Sequence, residues 1–132
     1  MKLISLIKGG LTAFITWLGW LVGGYDTMMI TLLLFMGIDY VSGVICGISK
    51  KELSSEVGFK GIAKKIMILL LVGATNLLGQ ATGIEGLRYL VISFYLANEG
   101  ISMIENASIL GLPVPQKIKD VLEQLKNTST EK

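Results

Sequence analysis

The clearest membrane-spanning segment of the chain is TMMITLLLFMGIDYVSGVICGI, residues 27–48. It carries one charged residue, Asp39, in a run long enough to cross the roughly 30 Å hydrocarbon core of a bilayer as a helix. Composition agrees, because 52% of the 132 residues are hydrophobic and only 17% are charged. A chain of this length forms one small domain. Such long apolar runs indicate that the domain works in or across a membrane.

Three more apolar segments flank this span, at about residues 3–22, 61–79 and 87–106. The first contains Lys8, Gly9 and Gly10 near its start, so it either spans the membrane or lies in the interface. Residues 49–65 are predicted to form a basic loop. The apolar run after it, Ile66 to Gly79, is so short that the helix must tilt, thin the bilayer locally or begin near Gly61. Residues 1–112 are therefore predicted to form a membrane domain.

A second, smaller unit is predicted at residues 113–132. After the GLPVP break at 111–115, residues 115–126 place Ile118, Val121, Leu122 and Leu125 on one face of a short helix. The last residues, NTSTEK, are predicted to be a frayed tail. The fold class that follows is an all-α integral membrane protein with about four hydrophobic helices and a cytoplasmic, amphipathic C-terminal helix.

The basic residues predict the orientation. All 12 Lys and Arg residues except Arg88 fall near the termini or in the 49–65 loop. Because cytoplasmic loops are rich in Lys and Arg, four spans with both termini in the cytoplasm fit best, and three spans fit less well. Five lysines are predicted to act as topology determinants or headgroup anchors: Lys50, Lys51, Lys60, Lys64 and Lys65. The neighbouring Ser54-Ser55 pair indicates a helix cap rather than a specific headgroup site.

One face of the second segment is suited to helix contacts. Asp39, Gly43, Cys46 and Gly47 recur at helical spacing, and the two glycines permit close backbone approach. An unpaired Asp in mid-membrane costs roughly 2.5–3.5 kcal/mol, so Asp39 should face protein or water. Two roles remain open for it: a buried hydrogen-bonding group within one subunit, or a place in a pore or oligomer interface.

The fourth segment carries a long polar stripe that is unsuited to lipid. Its members recur at helical spacing or flank the same line: Arg88, Tyr95, Asn98, Glu99, Ser102, Glu105 and Asn106. Such a stripe packs against other helices or lines water. Asn76 and Gln80 of the third segment are candidate partners. A buried structural network and an oligomer or pore-lining surface both remain open.

Several functional classes are disfavoured. The chain has no His and a single Cys, Cys46, so it has no internal disulfide and no recognisable zinc or haem site. It contains no Gly-rich phosphate loop or nucleophile elbow, and a net charge of +2 is too small to suggest nucleic-acid binding. We therefore expect a protein that is not an enzyme and has no cofactor, metal or nucleic-acid partner.

The motifs together resemble the toxin-secretion/phage-lysis holin family of Gram-positive bacteria and their phages. The resemblance rests most strongly on FYLANEGISMIEN at residues 94–106. It extends to Asp39-Tyr40 with Gly43, to Ser54-Ser55 through Lys64-Lys65, and to Gly111, Pro113 and Pro115. It implies a homo-oligomer in the bacterial cytoplasmic membrane that permeabilises it, releases a cell-wall hydrolase (endolysin) or toxin, and has no catalytic residues. An antiholin is a possible further partner.

Two alternatives remain. A small multidrug-type transporter also packs four helices around an intramembrane acid, although no aromatic residues cluster around Asp39 or Glu99. An antiholin-like regulator, or an accessory subunit, would share the family's fold without forming a hole of its own.

Overall fold

The computed structural model describes residues 1–130, and that part of the chain contains five helices and no strand. The helices are α1 (Lys2–Val22), α2 (Thr27–Ser49), α3 (Ser55–Thr82), α4 (Leu87–Ile109) and α5 (Gln116–Thr130). Of these, α1, α2 and α3 are long and apolar enough to cross a membrane. The prediction of an all-α membrane fold is confirmed. The fourth predicted hydrophobic helix, α4, is as long as α2 at 23 residues but is not among the three, because it carries several charged residues.

Helix α3 begins earlier than predicted. It starts at Ser55 rather than near Gly61, because the Ser54 hydroxyl accepts a hydrogen bond from the Val57 amide at 3.2 Å and caps the first turn. The connection from α2 therefore shortens to residues 50–54, and Lys51 turns the chain with a positive φ of 57°. Lys60, Lys64 and Lys65 lie on α3 and not in a loop, so the predicted 49–65 loop is wrong.

Helix α5 also runs further than predicted. It begins at Gln116, directly after Pro115, and continues to Thr130, so residues 127–130 are helical rather than frayed. The Ser129 hydroxyl donates to the Leu125 carbonyl at 2.9 Å, and half-buried Leu125 packs on the core. The last two residues of the predicted tail lie outside the described residues.

Helix α4 occupies the centre of the packing. It contacts α2, α3 and α5, while α1 packs mainly on α3. The buried core draws on α1 to α4 and consists of Val22, Met29, Leu32, Met36, Ile68, Val72, Ile92 and Leu96. Helix α4 is thus the element on which polar groups from several helices can meet.

The outward faces of the long helices remain apolar and exposed. On α2 they form a stripe at helical spacing: Leu34, Ile38, Val41, Ile45 and Ile48, each about half exposed or more. A soluble protein would bury such a stripe, whereas lipid solvates it. Since lipid supplies no hydrophobic force between helices, the interior contacts depend on packing and on polar pairs.

Candidate functional site

Three helices meet at a charged group that we call the mid-helix cluster, formed by Asp39, Lys65, Glu99, Ser42 and Asn106. The Lys65 ammonium on α3 donates to Asp39 Oδ2 on α2 at 2.8 Å and to Glu99 Oε2 on α4 at 2.7 Å. The side chains of Lys65, Asp39 and Glu99 are only 17%, 14% and 8% exposed. One ammonium group therefore joins two carboxyl groups and three helices in a largely enclosed space.

The cluster continues through the amide of Asn106. Its Nδ2 donates to Asp39 Oδ1 at 3.2 Å and to Ser42 Oγ at 2.8 Å. The Cys46 thiol in turn donates to the Asn106 carbonyl at 3.3 Å. These contacts bind α2 to α4 over about two helical turns, and the Asp39 carboxylate has a partner on each neighbouring helix.

The structure gives Lys65 a place that sequence reasoning missed. It was predicted to be a headgroup or topology anchor, yet its ammonium lies between two acids inside the helix packing. The signal was present: an intramembrane acid needs a partner, and Lys65 stands at the start of an apolar run between two acid-bearing helices. The other four predicted anchors, Lys50, Lys51, Lys60 and Lys64, are exposed.

A cavity of about 550 Å³ lies beside the mid-helix cluster, between α2, α3 and α4. Besides Glu99 and Asn106, three further predicted members of the α4 stripe line it: Tyr95, Asn98 and Ser102. It exists partly because glycines stand where side chains would fill it: Gly43, Gly58 and Gly61. The space is open rather than enclosed, so the cluster has room for water on one side.

The glycines of α2 differ in what they contact. A Cβ at Gly43 would lie 3.8 Å from Asn106 Nδ2, so this glycine faces α4 as the spacing predicts. A Cβ at Gly47 would lie 3.3 Å from the Leu53 side chain, in the turn before α3. Only Gly43 of the pair stands at the α2–α4 contact.

A second polar group, which we call the turn cluster, lies at one end of the bundle. It is formed by Asp26, Arg88, Tyr89, Asn76 and the backbone of residues 21–24. The Arg88 guanidinium donates to both carboxylate oxygens of Asp26, at 2.8 and 3.1 Å, to the Gly24 carbonyl at 2.9 Å and to the Val22 carbonyl. Asn76 Nδ2 donates to the Leu21 carbonyl at 3.0 Å. The last carbonyls of α1 are thereby satisfied by α3 and α4.

Asp26 holds the turn cluster from the other side. Its carboxylate caps α2 by accepting from the Met29 amide at 3.0 Å, and it also accepts from the Tyr89 hydroxyl at 3.2 Å. The hydrogen bonds from Arg88 are the main reason that the pKa of Asp26 falls from its ordinary 3.8 to about 2. Gly23 is required in this turn, because its φ is 87° and a Cβ would lie 2.6 Å from Asn76 Oδ1.

The predicted site residues thus fall into three places. Asp39, Gly43, Glu99 and Asn106 meet around the mid-helix cluster, whereas Asn76 and Arg88 belong to the turn cluster. Glu105 is exposed and lies in a groove between α4 and α5 with Ser108, Lys119 and Glu123. The described residues contain no group of three or more His, Cys, Asp or Glu placed to hold a metal ion.

Comparison with known proteins identifies bacterial relatives of this chain. A protein of Clostridium perfringens, described as an uncharacterised 14.9 kDa protein in the nagH 3' region, is 43% identical over 128 residues, covering 96% of this chain and 97% of the relative. The uncharacterised Listeria monocytogenes protein Lmo0128 is 41% identical over 118 residues, covering 89% and 84%. No solved structure matches the chain.

A phage protein and a family model give the similarity a functional label. A protein of Bacillus phage phi105 named "Probable holin" is 32% identical over 96 residues, which cover 72% of this chain and 71% of the phage protein. The sequence model of the bacteriophage holin family matches residues 16–127 and so takes in both polar clusters. By this match the chain belongs to the bacteriophage holin family.

Proposed function

We propose that the chain is a holin that oligomerises in the bacterial cytoplasmic membrane and forms lesions there. The observation that carries the proposal is the mid-helix cluster, an intramembrane group of charges held by side-chain pairing between three helices. Charges paired inside one chain are tolerated by lipid while the protein is dilute. The same side chains can face water once many copies assemble, so one polar layer serves both states.

The cavity beside the cluster supports the same proposal. It is lined by polar residues of α4, by glycines and by apolar side chains such as Val44, Val57 and Ile68, and it lies between the helices at the level of Glu99. Because space already exists between the helices beside the polar stripe of α4, these side chains can exchange their partners within the chain for water or for a second copy. In the assembled state, the stripe of α4 would line or adjoin the aqueous lesion.

The topology we propose is four spans with both termini in the cytoplasm. Helix α4 falls short in apolar character, but its acid Glu99 is paired with Lys65 and its Arg88 with Asp26, which reduces the cost of placing both in a bundle. Labelling with a membrane-impermeant thiol reagent tests this arrangement in a Cys46→Ser background. Glu85→Cys should react from outside intact cells and Glu52→Cys should not; the opposite pattern would overturn the orientation.

The proposed partners follow from the lesion. The chain acts with the lipid bilayer and with copies of itself, and an endolysin or toxin passes through without direct contact. An antiholin can regulate the assembly. A non-catalytic role suits the site, in which each ionisable group of the mid-helix cluster is held by another member of the cluster.

Inducible expression in a Gram-positive host tests the function. Membrane potential, viability and release of a folded cytoplasmic enzyme are followed with and without a co-expressed endolysin. We expect an abrupt collapse of the potential after a delay, followed by enzyme release and, with the endolysin, lysis. A chain that never kills alone but delays killing by another holin would be a regulator, and the proposal would fail.

The transporter alternative is disfavoured by the pairing of both acids. Asp39 and Glu99 share the Lys65 ammonium and therefore do not present a free carboxylate to a cationic substrate. Dye efflux that depends on either acid, with no enzyme release at any expression level, would nevertheless establish a transporter.

A further inference from the structure

The inference concerns α5 and rests on the proposed function. After α4 the chain turns at residues 110–115, where Gly111 has a φ of 84° and Pro113 and Pro115 follow. Helix α5 then runs back along α4, with Lys119 and Glu123 beside Ile101 and Ile104. A turn with one left-handed glycine and two prolines ends α4 and precedes α5, so the two helices are joined by a short non-helical hinge.

Two leucines hold α5 in its docked position. Leu122 packs against Gly100 of α4 so closely that a Cβ at Gly100 would lie 2.7 Å from Leu122 Cδ2. Leu125 packs on the buried core. The other two members of the predicted apolar face, Ile118 and Val121, are 50% and 54% exposed. Docking therefore buries only half of the apolar face of α5.

The docked position places α5 at the depth of the membrane interior. Gly100 adjoins Glu99 of the mid-helix cluster and stands near the middle of the 23-residue α4, about 14 Å from its C-terminal end at about 1.5 Å per residue. Leu122 contacts Gly100, so Glu123 lies at the same level. If α4 crosses the bilayer, the second half of docked α5 lies within the hydrocarbon layer.

The outward face of α5 is unsuited to that depth when lipid surrounds it. Glu123 is exposed at the rim of the groove between α4 and α5, level with Gly100, and Asp120 and Lys117 are exposed about 3 and 8 Å nearer the C-terminal end of α4. Charged side chains within hydrocarbon are strongly unfavourable, whereas the same side chains facing water are not. Docked α5 therefore requires water, and not acyl chains, along its outer side.

A second position suits α5 when the protein is surrounded by lipid. With Ile118, Val121, Leu122 and Leu125 on one face and charges on the other, α5 can lie in the cytoplasmic interface of the bilayer. That position buries all four apolar side chains and keeps the charges in the headgroup region. The hinge at residues 110–115 permits the exchange between the two positions.

We propose that α5 lies on the membrane surface while the protein is dispersed, and docks along α4 in the assembled lesion, where its charged face lines the aqueous lumen. Docking of α5 and opening of the lesion are then coupled. Each copy contributes to the lumen wall a helix that the bilayer otherwise keeps at its surface.

A disulfide trap measures the docked fraction. The full chain carries Cys46→Ser, which keeps an O–H donor for the Asn106 carbonyl, together with Gly100→Cys and Leu122→Cys. These two positions face each other, and Leu122→Cys removes the side chain that a Cβ at residue 100 would meet. The protein is reconstituted at low and high protein-to-lipid ratio into vesicles of phosphatidylglycerol and phosphatidylethanolamine that enclose a folded enzyme.

We expect the oxidised, within-chain disulfide to rise several-fold at the densities at which the enzyme escapes. Chains with one of the two cysteines alone identify disulfides between copies. Enzyme release with equal within-chain disulfide at both densities would overturn the inference and leave the proposed function standing. No release at any density by the Cys46→Ser chain that keeps Gly100 and Leu122 would overturn the proposed function, and the inference with it.

A matched pair of substitutions provides the second measurement. Leu122→Asp puts a charge into the contact with Gly100 and should reduce enzyme release several-fold while the protein still inserts. Val121→Asp adds the same charge at the neighbouring exposed position and should retain release. Equal release by the two variants would show that docking of α5 is not needed for opening.

Discussion

The mid-helix cluster and the turn cluster use the same chemistry in two different settings. Lys65 pairs with carboxylates on two other helices and Arg88 pairs with the carboxylate of Asp26 in the turn before α2, at 2.7–2.8 Å for the closest contacts. In the turn cluster the Arg88 guanidinium also donates to backbone carbonyls, whereas the Lys65 ammonium has carboxylates as its partners. Backbone partners cannot leave without unfolding the turn, but side-chain partners can be exchanged.

This difference assigns the two clusters different roles. The turn cluster closes the ends of α1, α2 and α4 with a bidentate guanidinium and a left-handed glycine, both of which restrict geometry. The mid-helix cluster adjoins a cavity and joins three helices through one flexible lysine. In the proposed assembly, we expect the turn cluster to stay fixed and rearrangement to begin at the mid-helix cluster.

The largest effect is expected from Lys65→Met. Removing the ammonium leaves two largely buried carboxyl groups without a cation, and loss of one partner of a buried ion pair typically costs about 3–5 kcal/mol. We expect a large loss of thermal stability in detergent and poor accumulation in the membrane. Lys64→Met is the matched control, since Lys64 is exposed on the same helix. Equal stability and accumulation of the two variants would show that the fold does not depend on the ion pairs of Lys65.

The next largest effect concerns the turn cluster, whose contribution to stability depends on pH. Because the folded pKa of Asp26 is lowered to about 2, its carboxylate stabilises the fold above its ordinary pKa of 3.8, and the contribution disappears as the pH falls toward 2. Asp26→Asn should therefore lower the melting temperature at pH 6, with a difference from wild type that shrinks below pH 4. A difference that is unchanged between pH 6 and pH 3 would contradict the assigned pairing with Arg88.

The same contrast explains what the sequence could predict. Hydrophobic length and helical spacing located all five helices, and the cost of an intramembrane acid correctly placed Asp39 against protein. The role of Lys65 was missed because charge counting treats every lysine near a span as an anchor. The early start of α3 was missed because the Ser54 cap was read as a local feature and not as the beginning of a long helix.

The helical spacing of residues in the sequence could not predict contacts that depend on three-dimensional packing. Arg88 and Asn76 share helical patterns with other polar residues, yet both satisfy carbonyls at the end of α1. Their partners are backbone atoms, which carry no signal in the sequence. The docking of α5 along α4 was likewise unpredictable, since amphipathicity describes its faces but not the helix on which it docks.

A smaller effect is expected where α2 meets α4. A Cβ at Gly43 would lie 3.8 Å from Asn106 Nδ2, so Gly43→Ala should be tolerated and Gly43→Leu should push the helices apart. We expect Gly43→Leu to lower stability by about 1–3 kcal/mol, as overpacking typically does, and to weaken killing. Gly37→Leu is the control, because no atom lies within 4 Å of a Cβ at that exposed glycine. Unchanged killing by Gly43→Leu would mean that this face points to lipid.

The smallest structural effect, and the sharpest functional test, is expected from Glu99→Gln. The substitution keeps the shape of the side chain, and Lys65 retains Asp39 as its charged partner at 2.8 Å. Removing one of two carboxyl groups that share a single ammonium relieves their mutual repulsion, so the fold should survive with little change in stability.

If the cluster serves helix pairing, lysis should be retimed but enzyme release should persist. If Glu99 instead couples proton movement to transport, its neutralisation must abolish export, since the change of charge is then the mechanism. Enzyme release and dye efflux, measured side by side in intact cells, decide between the two. Dye efflux that is lost with the acid, without any release of enzyme, would contradict a holin. Escape of a folded enzyme would contradict a transporter, because a path between four helices is too narrow for it.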